Sequence, residues 1–143
     1  MRIGAVVADA NVLLSAAVGK SPLRVFTDFR IEVHASEYNT DEVTEYLPEM
    51  AAKYRLPTEV VQLQWKLLPL RVHPQKDYGG WFEEALAALA HRDPEDAHVL
   101  ALARSLELPI WSNDRDLTSM HAECYTTAQL LRALKEQHRI INR

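Results

Sequence analysis

Acidic side chains in this chain stand at positions where a hard cation could gather them. Residues 3–8 form an apolar run rich in valine, and Asp9 follows it directly. If that run is a buried parallel strand, the carboxylate emerges at the strand's carboxyl end, where open α/β sheets place their ligands. Further acids fall at helix starts or at the ends of apolar segments: Glu42, the pair Asp93 and Asp96, and the pair Asp114 and Asp116. Carboxylates brought to close range force one another to take up protons. A divalent cation held by oxygen relieves that repulsion, so the pattern points to metal-dependent chemistry.

Each acid also has a purely structural reading. In Asp93-Pro94-Glu95-Asp96, Asp93 suits an N-cap, Pro94 suits a first helical turn, and the acid three residues on completes a capping box. The two readings are compatible, because Asp93 can cap while Asp96, favoured by the helix dipole, points into a cleft. Ser112-Asn113-Asp114-Arg115-Asp116 follows an apolar segment and suits a turn or a cap. What links this segment to Asp9 is that both leave the sheet at the same edge, so two strand ends deliver carboxylates to one side.

The elements that must position these groups alternate along the chain. After the strand at 3–8, residues 12–18 read as a first helix, and Ser21 with Pro22 as cap and first turn of a second helix running to about Phe29. Residues 31–35 alternate as a second strand. Asn39 or Thr40 is placed to cap a helix over 41–47, with Pro48 expected to interrupt it before a second helical piece at 50–54. Thr58 is placed to cap a helix with apolar positions Val60, Val61, Leu63, Leu67 and Leu68, followed by a short strand at 70–72. Gly79-Gly80 precedes a helix over 81–91. The nearly continuous apolar spacing of 97–106 predicts a central helix buried on both sides. Residues 109–112 read as a strand, 113–118 as a polar turn with a short helix, 122–126 as a last strand and 127–138 as a last helix. Strands alternating with helices predict an α/β fold, a mainly parallel sheet flanked by helices on both faces.

With 143 residues, a single domain spanning 1–143 is expected, long enough to bury about 70% of the surface of its unfolded chain. Cys124 is the sole cysteine, which excludes an internal disulfide and a thiolate zinc cluster. Asp9 and Asn11 interrupt the apolar N-terminal stretch, and no run approaches the ~20 residues of a membrane span. A cytoplasmic protein with no membrane association is the expectation. The net charge of −4, from 20 acids and 16 bases, argues against holding nucleic acid by bulk charge alone. Setting aside four carboxylates for a metal site leaves acids and bases in balance, a shell compatible with a phosphate chain.

The chain resembles the PIN-domain ribonuclease family, including bacterial toxins of the VapC type. The matching residues are Val7-Ala8-Asp9-Ala10-Asn11-Val12-Leu13-Leu14, the helix Asp41-Glu42-Val43, the run Arg92-Asp93-Pro94-Glu95-Asp96-Ala97 with Ala101 and Ala103 behind it, and Ser112-Asn113-Asp114-Arg115-Asp116-Leu117. They stand in family order over residues 1 to about 130. The resemblance implies Asp9, Glu42, Asp96 and Asp114 as the catalytic, metal-binding acids, with Asp116 close by, Asn11 and Ser112 as polar supports and Asp93 as a secondary candidate. Glu45 lies three residues beyond Glu42 on nearly the same helical face, so either can supply the second acid. The implied activity is a Mg2+- or Mn2+-dependent endoribonuclease, using one or two ions and leaving 5′-phosphate and 3′-hydroxyl ends. The implied setting is the toxin of a toxin–antitoxin pair, with RNA as substrate, an antitoxin partner and a homodimeric state.

Among the bases, Arg115 between two candidate acids is the best placed to grip substrate. Arg132, Lys135, His138, Arg139 and Arg143 could track a phosphate backbone, although a solvated helix face explains them as well. The six histidines have no ligand spacing, and His98 reads as a hydrogen-bonded core or interface residue. Trp65, Trp81 and Trp111 lie in apolar contexts that favour core packing or a subunit interface over base stacking, and Cys124 reads as an inert buried thiol. A competing function is a non-catalytic RNA-binding or assembly module in which the carboxylates serve as caps. A phosphoacceptor receiver fits poorly, because Asp9 has no acidic neighbour and the segment 112–117 offers no lysine.

Overall fold

Alternation within the first strand sets where the core lies. In β1 (Ala5–Ala8), Val6 and Ala8 turn to one face and Val7 to the other, and all are fully buried, as in a strand covered on both sides. The computed structural model describes residues 2–89, 93–121 and 123–141, with the side chains of Arg115 and Thr118 outside the described set. β1 pairs with β2 (Glu32–Ser36) on one side and β4 (Ile110–Trp111) on the other. β3 (Leu70–His73) flanks β2, and β5 (Cys124–Tyr125) flanks β4. The sheet order is β3-β2-β1-β4-β5 with every pairing parallel.

Helices cover both faces. On the face of Val6 and Ala8 pack α1 (Ala10–Ala17), α2 (Leu23–Asp28), α3 (Glu37–Lys53), α4 (Thr58–Leu67) and α8 (Thr127–Ile141). On the face of Val7 pack α5 (Gly79–Ala88), α6 (Ala97–Leu106) and α7 (Arg115–Thr118). Residues 97–103 of α6 are all buried, as their continuous apolar spacing requires. The α/β class with helices on both faces is as expected from sequence.

Several local expectations are corrected. α3 is one helix through Pro48, because Val43, Leu47 and Ala51 bury on either side of the exposed proline and their packing offsets the hydrogen bond that the ring removes. Its cap is Ser36, whose Oγ accepts the Asn39 N–H at 3.0 Å, so neither Asn39 nor Thr40 caps it. Ser21 and Thr58 do not cap either: the N-cap positions of α2 and α4 are Pro22 and Pro57, without a side-chain bond. Gly79 and Gly80 lie within α5, and the predicted end of that helix at 90–91 lies outside the described residues, as does Ala122 of the last strand. Among the described residues no helix is long and apolar enough to cross a membrane.

Candidate functional site

The chain steps from β1 to β2 to β3 on one side of the first strand and then crosses to β4 on the other. The carboxyl ends of β1 and β4 are therefore a topological switch point, where parallel sheets open a crevice for ligands. Asp9 follows β1 and Ser112 follows β4, and the Asp9 N–H donates to the Trp111 carbonyl at 3.2 Å. One Asp9 oxygen accepts the Val12 N–H at 3.0 Å and so caps α1. The other accepts the Ser112 hydroxyl. Ser112 Oγ in turn accepts the Asp114 N–H at 3.0 Å, and Asp114 Oδ1 accepts the Asp116 N–H at 2.9 Å. Asp9 is only 6% exposed. Burial raises its proton affinity, the bonds from Ser112 and Val12 oppose that, and Asp114 adds to it.

Asp96 ends a 3-10 turn over Pro94–Asp96 and leads into α6. Burial first, then Asp114, Asp93, Asp9 and Asp116 in that order, push its carboxyl up to about 7. Five of the acids named from sequence therefore sense one another at this crevice. Asp93 caps the 3-10 turn, accepting the Glu95 N–H at 3.0 Å, so its capping reading holds as well.

Glu42 reaches the site from α3 and belongs to a second group. Burial raises its proton affinity, the Asn39 amide opposes that with a bond at 3.1 Å, and Glu95 and Asp93 raise it further. Asn39 is itself buried and accepts the Ser36 hydroxyl at 2.8 Å. Asp93 thus neighbours both Asp96 and Glu42. Asn11 is exposed and lines a groove of about 460 Å³ with Glu42 and Asp93. Glu45 is exposed on α3 and lines a separate recess with Glu42, Glu95, Tyr38 and Tyr46. The Tyr38 ring stacks on His98 with centroids 3.9 Å apart, and His98 Nδ1 lies 2.7 Å from the Tyr78 hydroxyl.

Ser36, Asn39 and Glu95 went unnamed as site residues in the sequence, although Ser36, Asn39 and Glu42 recur at intervals of three, which puts them on one helical side. The Arg115 side chain, Arg92 and Arg143 lie outside the described residues. Arg132, Lys135, His138 and Arg139 are exposed on α8. Trp111 is fully buried and Trp65 partly so, whereas Trp81 is 44% exposed and so is not a core residue of this chain. Burial pushes the Cys124 thiol up to about 11, which keeps it unreactive.

Among the described residues no three ligating side chains are grouped closely enough to grip an ion as they stand. The donor set is nonetheless the kind that suits a hard cation: all oxygen, with burial and the neighbouring acids together disfavouring the charge on Asp96. Asp9, Asp96 and Asp114 are the residues that would hold it.

Known structures share this framework. One is a toxin–antitoxin complex from Klebsiella pneumoniae, 16% identical, TM-score 0.64, covering 85% of this chain and 97% of that one. A second is PAE2754 from Pyrobaculum aerophilum, 16% identical, TM-score 0.67, covering 94% and 96%. A third is VapBC2 from Rickettsia felis bound to a promoter DNA fragment, 12% identical, TM-score 0.62, covering 85% and 98%. At these identities the likeness is one of fold. No curated protein matches the sequence. The sequence pattern of the PIN domain matches residues 7–135, which takes in the end of the strand before Asp9, the carboxylates of both groups and more than half of α8, and the chain belongs to the PIN domain family.

Proposed function

We propose that this protein is a divalent-metal-dependent endoribonuclease, acting with Mg2+ or Mn2+ and serving as the toxin of a toxin–antitoxin pair. The observation that carries the reading is that Ser112 ties Asp9 to Asp114 at the switch point of a parallel sheet, with Asp96 near enough to both to be affected by their charge. When bound, the ion supplies an acidified water and neutralises charge on the phosphoryl oxygens. The chain's own residues prepare the place for it. Ser112 and the Val12 N–H fix the Asp9 carboxylate, Asn39 fixes Glu42, and Asn11, on the groove beside Glu42 and Asp93, is placed to orient a phosphate chain. Membership of the PIN family supports the nuclease assignment, and neighbours that are toxin–antitoxin complexes support an antitoxin partner.

The test is cleavage of RNA by the purified protein with Mn2+ or Mg2+, compared with Asp9→Asn and Asp96→Asn. Both variants should fold, by circular dichroism, and lose cleavage. Equal cleavage before and after either change would remove the catalytic assignment.

One observation favours a second reading, a non-catalytic RNA-binding module: Asp9, Asp93 and Asp114 each cap a helical turn. Thermal stabilisation by the ion separates the two, since binding at 100 times the dissociation constant adds about 2.7 kcal/mol. Absence of any shift with Mg2+ or Mn2+ would favour the module.

A further inference from the structure

One aromatic side chain beside the carboxylates is held open from behind. Tyr38 stands in the first turn of α3, one turn before Glu42. One face of its ring lies flat on the His98 imidazole, with centroids 3.9 Å apart and planes 7° from parallel. His98 is buried on α6 and fixed there: the Tyr78 hydroxyl lies 2.7 Å from Nδ1, the Tyr78 ring meets it edge-on, and the Phe82 ring tilts against it at 4.7 Å. Tyr38 nevertheless keeps 39% of its surface exposed and lines a recess of about 280 Å³. Since His98 occupies one face of the ring, the other is left to the recess.

The remaining walls are acceptors. Asp41, Glu42, Glu45 and Glu95 line the recess with Tyr38 and Tyr46. Four carboxylates repel a phosphate, so the group that fits is neutral, flat and rich in N–H donors. A nucleobase offers a π-face to Tyr38. Among the four bases guanine alone presents two adjacent donors, N1–H and the N2 amino group, and a carboxylate accepts such a pair with its two oxygens. Adenine and cytosine set a ring-nitrogen acceptor beside the amino group, and uracil flanks its N–H with carbonyls, so each turns lone pairs toward the acids. Glu42 is tied to Asn39 at 3.1 Å, whereas Asp41 and Glu45 form an exposed pair one turn apart on α3.

We propose that this recess holds a guanine base of single-stranded RNA, stacked on Tyr38 and donating to the carboxylates of Asp41 and Glu45. The inference rests on the nuclease reading for its substrate class and adds the base that the substrate carries. The recess adjoins the groove of Asn11, Asp93 and Lys53, because Glu42 and Tyr46 line both. A guanine on Tyr38 sends its sugar and phosphate toward that groove, where Lys53 supplies positive charge, so the bond to be cut lies beside the guanine. The strand must be single, since a paired guanine has this edge engaged already. The Tyr38 ring is locked before the base arrives, so little freedom is lost on stacking.

Fluorescence anisotropy of the full chain with labelled hexauridylate, unmodified or carrying one G, A or C, tests it, with Ca2+ in place of Mg2+ to read binding apart from cleavage. The G-bearing oligomer should bind about tenfold more tightly than the others. Tyr38→Leu should lose about tenfold in affinity for it, and Tyr38→Phe, which keeps the π-face, should stay within about twofold of wild type. Asp41→Asn combined with Glu45→Gln should erase the preference for guanine; both positions are exposed, so this variant remains informative if Tyr38→Leu fails to fold. Equal binding of all four oligomers, or a guanine preference that survives both Tyr38→Leu and the amide pair, would overturn the proposal. Sequencing of RNA ends produced with Mn2+ separates it from the activity it rests on. Cleavage beside every base alike would sink the guanine recess and leave the nuclease, whereas guanine-selective binding without cleavage would sink the nuclease and leave the recess.

Discussion

The Ser112 hydroxyl donates to the carboxylate of Asp9, 103 residues earlier in the chain, while its oxygen accepts the N–H of Asp114. One side chain therefore sets the spacing between two acids that arrive on different strands. Ser112→Ala should remove both bonds at once. A hydrogen bond to a charged group contributes about 1.5–3 kcal/mol, so urea unfolding should show a loss of that order, whereas Ser112→Thr, which keeps the hydroxyl, should stay close to wild type. A stability unchanged by Ser112→Ala would show that Asp9 is held by its other contacts alone.

Repulsion at the crevice implies that Asp96→Asn has opposite effects with and without an ion. In chelator the variant loses a charge that burial disfavours and that Asp114, Asp93, Asp9 and Asp116 oppose, so its melting temperature should rise by a few degrees. With Mn2+ added, the wild type should gain stability and the variant should gain less, because one oxygen donor is gone. Scanning calorimetry of both proteins, each with and without Mn2+, makes the comparison. A fall in the melting temperature of the metal-free variant would contradict the electrostatic account.

Much of this arrangement was legible in the residues. Asp9 announced itself because the strand before it is buried on both faces and so reads as a continuous apolar run, and the caps at Asp93 and Asp114 followed from local turn chemistry. The start of α3 was not legible, since Ser36 ends a strand and caps a helix at once, and the packing that carries α3 past Pro48 is tertiary. Glu95 was hidden because nothing local reveals that the 3-10 turn brings it to Glu42. The five apolar positions of α4 gave no sign of which face core and which face water, a division set by where α1 and α3 lie.

Acid sensitivity should arise away from the crevice, at the strand pair β2 and β3. His34 Nδ1 lies 2.8 Å from His73 Nε2, and Glu32 and Asp77 stand against the outer nitrogens at 3.2 and 3.3 Å. Burial holds His34 below the ordinary imidazole value of 6.5, and the bond to Glu32 opposes that only in part. As pH falls below 6.5 the unfolded chain takes up a proton that folded His34 resists. Its contribution to stability is therefore complete above that value and declines as pH drops toward the folded one. Urea unfolding between pH 7.5 and pH 5, taken as about these limits, should show a slope that His34→Gln reduces. A slope identical in the variant would assign the effect elsewhere.

A strained backbone position lies outside both clusters. α6 ends at Glu107, which has φ 56° and ψ 45°, the left-handed conformation that glycine adopts without a Cβ clash. A non-glycine residue there costs roughly 1–2 kcal/mol, while glycine adds about 0.5–1 kcal/mol of unfolded-state entropy. The balance favours Glu107→Gly by about 0.5–1 kcal/mol, and Glu107→Ala, which keeps the Cβ, should bring no such gain. The urea midpoint should rise for the glycine variant at an unchanged slope. If glycine instead lowers it, the Glu107 side chain must supply more than its backbone conformation costs, and the exposed end of α6 would need a different account.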